Sequence, residues 1–121
     1  MQNAAEAYSQ TAKATRSPRD MEADLLLKAA SQLQLLEQNW DQDKELLDTA
    51  LYYNRKLWTV FMGSIARPDN PLPLEIKNNI ASLGAFILHH TLMVQKEPSP
   101  EKLKPLIDIN REVAAGLHGS A

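Results

Sequence analysis

The sequence predicts an all-α protein, a small bundle of about five helices, three of them long, with shorter ones at the N- and C-termini. Three observations carry this. Apolar residues recur at i, i+3, i+4 and i+7 through most of the chain, the period of a helix that buries one face. Serine, proline and acidic residues stand between the periodic stretches as start and stop signals. Nowhere does strict alternation persist between turn residues, and four glycines with 6% aromatic residues do not suit a sheet.

Residues 3–16 are rich in alanine and glutamine, with Ala4, Ala7, Tyr8, Ala12 and Thr15 on one thin apolar face. A helix with so little to bury is marginal by itself. Ser17-Pro18-Arg19-Asp20 then predicts a firm start: Ser17 as N-cap, Pro18 at the first helical position, and Asp20, Glu22 and Asp24 favourable to the helix dipole. Met21, Leu25, Leu26, Ala29, Leu33, Leu36 and Trp40 continue as a long stripe. Asn39 to Asp43 breaks it, with Asp41 or Asp43 expected to cap the next helix.

That next stretch, Leu46 to Ile65, is the most informative of the chain. Leu47, Ala50, Leu51, Leu57, Trp58, Phe61, Met62 and Ile65 share a face, and Asn54 sits among them. Arg67 to Pro73 holds three prolines and cannot continue the helix, because each removes a donor and clashes with the turn before it. Pro73 suits the opening of a further helix, striped by Ile76, Ile80, Leu83, Ile87, His90 and Val94. Asn79, Phe86 and Met93 widen that stripe, which predicts burial on more than one side. Ser99 and Pro100 repeat the start signal for a last helix marked by Leu103, Leu106, Ile107, Val113, Ala114 and Leu117. Pro105 lies one turn in and is expected to kink or delay it. The whole is expected to be one domain over 1–121, with 3–16 and 96–121 as its least strongly marked parts.

Composition narrows the function. With 121 residues, a net charge of −2 and a pI near 5.9, the chain lacks the basic surface that phosphate neutralisation requires, which disfavours direct nucleic-acid binding. There is no cysteine, hence no thiolate nucleophile, thiolate metal site or disulfide. The N-terminus has no secretory h-region. The charge-free run from Asn78 to Gln95 carries asparagines, histidines and a striped pattern, so a buried helix is expected there, without membrane insertion. A cytoplasmic location is expected. His89 and His90 are adjacent and point about 100° apart on a helix, which suits one partly buried and one surface histidine better than a metal pair. The acids Asp41, Asp43, Glu45 and Asp48 are explained by a helix start. No phosphate loop, nucleophile elbow or zinc motif is present. The expectation is a protein without enzymatic activity, cofactor or metal.

A buried amide left unpaired costs about 1–3 kcal/mol, so Asn54 is expected to have a partner. Two are open: a carbonyl of the Asn70–Pro73 loop, or a bound helix whose register it would choose. Tyr8, Trp40, Tyr52, Tyr53, Arg55 and Trp58 are the candidate partner-contact residues, since aromatic and arginine side chains dominate interface anchors; Trp58 on the apolar stripe suits the core better, Trp40 at a helix end suits either, and at least one of Tyr52 and Tyr53 is expected at the surface.

Several segments together resemble the FlaF family of flagellar biosynthesis regulators. They are Ala7-Tyr8, Ser17-Pro18-Arg19-Asp20 with Glu22-Ala23, the run Ala50 to Thr59 with Asn54-Arg55-Lys56-Leu57-Trp58 at its centre, and Asn70-Pro71-Leu72-Pro73 leading to Ile76–Ile80. These cover roughly residues 3–94. The resemblance implies a small helical cytoplasmic protein that supports flagellin production and secretion as a flagellin chaperone, or a post-transcriptional regulator acting beside an FlbT-like protein or on flagellin mRNA. Flagellin is the partner it implies first, and an FlbT-like regulator the second. Binding through a hydrophobic groove that covers an amphipathic helix fits the composition better than RNA binding does.

Overall fold

The computed structural model describes residues 17–119, and among them no strand forms. The expected N-terminal helix over 3–16, with Tyr8, lies outside the described residues. Four substantial helices and one short one make the all-α bundle: α1 (Pro18–Gln38), α2 (Trp40–Asp43), α3 (Leu47–Ile65), α4 (Leu74–Lys96) and α5 (Lys104–Gly119). Two 3-10 turns, Lys44–Leu46 and Pro100–Leu103, lead into α3 and α5.

The start of α1 is built as its residues dictate. Ser17 is extended, Pro18 opens the helix, and the Asp20 amide donates to Ser17 Oγ at 3.1 Å. The start of α3 is not. Neither Asp41 nor Asp43 caps it; both lie in α2, and Leu46 at the N-cap position already has helical backbone. The 3-10 turn carries the helical path from α2 into α3, so few amides are freed for a side chain to satisfy. The acids instead meet the positive end of α2. At α5, Pro100–Leu103 winds as a 3-10 turn and the α-helix begins at Lys104, so Pro105 falls in its first turn, where a missing N–H costs little. Pro105 therefore marks a delayed start. Ser99 occupies its expected position but makes no side-chain cap bond.

The α3–α4 loop is held by Asn70, whose Nδ2 donates to the Ser64 carbonyl at 3.2 Å and whose Oδ1 accepts from the Leu72 amide at 3.0 Å. That pins Leu72 in the core, 5% exposed, and turns the chain into α4 behind Pro73.

α1 is the hub of the bundle. It packs most extensively on α5 and also on α3, which in turn packs on α4, whereas α4 and α5 touch little. Because α1 serves two neighbours, its buried set is Ala23, Leu26, Ala29, Ala30, Leu33 and Leu36, and the alanines let both approach closely. Met21 and Leu25, expected in the stripe, stay half exposed. α3 contributes Leu47, Leu51, Trp58, Phe61 and Ile65; α4 contributes Ile80, Ile87 and Val94. Each such side chain stabilises by about 1.5–3 kcal/mol on burial.

The α3–α4 contact depends on Gly84. A Cβ there would land on the Met62 side chain, reaching Cγ at 2.9 Å as well as the sulfur. Gly84→Val is expected to displace the flexible Met62 side chain from the α3–α4 contact and destabilise the protein by about 1–3 kcal/mol, the cost of overpacking. Urea denaturation checks this, and an unchanged midpoint would refute the close contact.

Candidate partner-binding groove

At the centre of the bundle lies a polar cluster with no route to solvent. Asn54, Trp58 and Asn110 are each 0% exposed. Trp58 Nε1 donates to Asn110 Oδ1 at 2.8 Å, and Asn110 Nδ2 donates to Asn54 Oδ1 at 2.7 Å and to the Leu26 carbonyl at 3.3 Å. One asparagine on α5 thereby joins α1 and α3. The partner of Asn54 is thus neither the 70–73 loop nor a bound helix. Asn70 is already committed to Ser64 and Leu72, and Asn54 points inward from the face of α3 that meets α5.

The same geometry sorts the contact residues expected from sequence. Trp58 has no surface to offer a partner and belongs to the core. Trp40 is half-buried against the core at the end of α1. Tyr53 is half-buried, its ring 5.8 Å from Lys28 Nζ. Tyr52 and Arg55 face outward together, the guanidinium 5.5 Å from the ring centroid. The structure does not gather these four into one site.

One of the clefts among the described residues lies elsewhere, between α4 and α5. Ile76, Asn79, Ile80, Leu83, Val113, Gly116 and Leu117 line a cleft of about 220 Å³ there. The α4 edge continues past it with Phe86, His90 and Met93, spaced by three and four residues so that they follow Asn79 and Leu83 along one stripe. Phe86 stacks on His90 with ring centroids 5.2 Å apart, and His90 Nε2 lies 2.7 Å from the Lys102 carbonyl. Phe86 is 42% and Met93 44% exposed. Among the described residues, the wide stripe read from sequence as burial on more than one side is therefore covered on one. Its signal, a face too broad for α3 alone, was visible in the sequence, but a second core neighbour and an open docking edge produce the same pattern. His89 is exposed, as expected of the surface member of the pair.

The end of this groove adjoins the start of α1. His118 Nδ1 is 3.0 Å from Asp20 and Nε2 is 3.7 Å from Asp24, joining the last turn of α5 to the first turns of α1. Nearby, burial pushes the Glu22 carboxyl above its usual range, and the Arg19 charge opposes the shift. A raised acid holds its proton more readily folded than unfolded, so its ionisation costs stability above the folded value. That cost fades as pH falls from the folded value to the unfolded one. Glu22→Gln is expected to be more stable than the parent at about pH 7, with the difference vanishing below about pH 4. Urea titrations at the two pH values check it; a gap that widens in acid would refute it. Asp69 has the opposite sign: its hydrogen bond with Arg67, at 3.1 Å, holds its pKa down.

Among the described residues, no three His, Cys, Asp or Glu side chains gather as a metal site, and no helix is long and apolar enough to cross a membrane. Fold and groove together define the class: a small helical bundle with a buried polar centre and, among the described residues, an apolar seam between α4 and α5 and a second apolar cleft where Leu35, Leu36, Leu46 and Ala50 bring α1 and α3 together. A family model described as flagellar protein FlaF matches residues 4–117, nearly the whole chain. The chain belongs to the FlaF family. No curated protein and no solved structure was found to match it.

Proposed function

We propose that this protein is a non-enzymatic cytoplasmic chaperone that binds flagellin and supports its secretion, seating an amphipathic flagellin helix between α4 and α5. The observation that carries the proposal is the apolar stripe of Leu83, Phe86 and Met93 beside Val113, with Phe86 and Met93 exposed, at the junction of α4 and α5, which touch little while α1–α5, α3–α4 and α1–α3 pack closely. The flagellar family supplies the context. The terminal segments of flagellin are amphipathic helices that assemble only after export, and an exposed apolar face in the cytoplasm needs a cover. Laying such a face into a groove, with anchors at i, i+3, i+4 and i+7, is a recurring mode of helix recognition. No cofactor is required for this.

Calorimetric titration of purified flagellin into the full chain is the test. Saturable binding at micromolar concentration or tighter is expected; absence of binding there overturns the proposal. A regulatory adaptor acting through an FlbT-like protein is the second reading, favoured by the outward Tyr52–Arg55 pair, which lies outside the groove. Co-purification with the FlbT-like protein but not with flagellin would favour it. A regulator acting on flagellin mRNA would instead bind the transcript with steep salt dependence.

A further inference from the structure

Where α1 ends and α3 begins, Leu35, Leu36, Leu46 and Ala50 line an apolar cleft of about 300 Å³, with Asp43 among its walls. Two pairs of adjacent leucines build it. Neighbouring residues of a helix point about 100° apart, so one leucine of each pair turns inward and the other outward. Leu36 and Leu47 are in the core, whereas Leu35 is 60% and Leu46 53% exposed. Core packing therefore accounts for Leu36 and Leu47 and not for Leu35 and Leu46. The short α2 and the 3-10 turn Lys44–Leu46 bring the two outward leucines to the same cleft.

This end of the bundle is also where negative charge collects. Residues 34–50 hold Glu37, Asp41, Asp43, Glu45 and Asp48 against Lys44 alone, a formal −4 in a chain of −2, so the rest of the chain balances at +2. None of these five acids forms an ion pair among the described residues. The positive end of a helix carries only about half a charge, which favours acids near it without neutralising four of them. The charge selects among occupants. A second copy of the chain would set −4 against −4, and a phospholipid or nucleic-acid surface would bring phosphates; like charges across an interface cost affinity. A helix with leucine-like residues along one face and lysine or arginine along its flanks complements both the cleft and its rim.

We infer that the α1–α3 cleft is a second docking site, which takes a basic amphipathic helix of a protein partner. Leu35 and Leu46 supply its apolar contacts, and Asp43, Glu45 and Asp48 its charged rim. The cleft shares no lining residue with the α4–α5 groove, so this site does not depend on whether flagellin binds there.

Fluorescence anisotropy with a labelled synthetic helix of about 15 residues, leucines on one face and lysines on the flanks, is the test. Saturable binding to the full chain at micromolar concentration or tighter is expected, at least about tenfold weaker when glutamates replace the lysines. Leu35→Gln with Leu46→Gln is expected to weaken binding about tenfold. Asp43→Asn with Asp48→Asn is expected to do the same and to flatten the salt dependence, because screening acts on exposed charges. Phe86→Gln with Met93→Gln is expected to leave the affinity unchanged. Leu35 and Leu46 are more than half exposed, so their replacement leaves the urea midpoint close to the parent's. No saturable binding, equal binding of the lysine and glutamate peptides, or a loss at the Phe86 and Met93 pair in place of the Leu35 and Leu46 pair overturns the proposal. A dimer in sedimentation velocity that Leu35→Gln with Leu46→Gln abolishes also overturns it, and gives the cleft to a second copy.

Discussion

Asn110→Leu is expected to destabilise the protein by about 3–5 kcal/mol, a large part of the 5–15 kcal/mol typical of a domain. Asn110 is the only member of the described polar cluster bonded to all the others: it accepts from Trp58 and donates to Asn54 and to the Leu26 carbonyl. Leucine fills similar space but strands the Trp58 N–H and the Asn54 amide, each fully buried. Leaving a buried polar group unsatisfied costs about 1–3 kcal/mol, more than the bond itself contributes. Thermal unfolding should register a fall in Tm of roughly 10–20 °C. Asn54→Leu is the informative contrast. Asn54 Nδ2 already lacks a partner among the described residues, so this change removes an orphan while Asn110 keeps Trp58 and Leu26. It is expected to cost about 1 kcal/mol or less. Equal losses for the two variants would mean that Asn110 is not the junction.

Phe86→Asp combined with Met93→Asp is expected to weaken flagellin binding about a hundredfold while leaving unfolding within about 1 kcal/mol of the parent. Both side chains are more than two-fifths exposed, so the bundle loses little when they become charged. A helix seated on the same stripe would lose two anchors and face two buried carboxylates, and central anchors commonly carry 2 kcal/mol or more each. Calorimetry with flagellin and urea denaturation of the free variant read the two effects separately. Binding that survives both substitutions would move the contact away from α4, and Tyr52→Ala with Arg55→Ala would then be the next pair to measure.

The helices were legible because their signals are local. Ser17 and Pro18 start α1 through a bond and a fixed φ that need no distant partner, and the prolines after Arg67 stop α3 for equally local reasons. The cap of α3 was not legible. Whether Asp43 caps anything depends on whether the chain straightens before Leu47, and here it continues through a 3-10 turn. The contact residues were only partly legible for a related reason. An aromatic at a given sequence position favours interfaces and cores alike: the stripe of α3 already pointed Trp58 inward and one of Tyr52 and Tyr53 outward, and packing places Trp58 in the core and Tyr52 at the surface.

The sequence by itself determined the helices, their approximate limits, the inward face of α3 and the presence in it of a polar residue that had to be paired. Those follow from period, capping and the cost of an unpaired amide. Tertiary structure alone decided that the pair is Asn110 on α5, more than fifty residues away, and that α5 closes on α1 and stands apart from α4. Periodicity reports which face is apolar, not what covers it. The seam of Leu83, Phe86 and Met93 is consequently a property of how four helices share one core, with α3 and α5 closing on α1, α4 joined through α3, and α4 and α5 touching little.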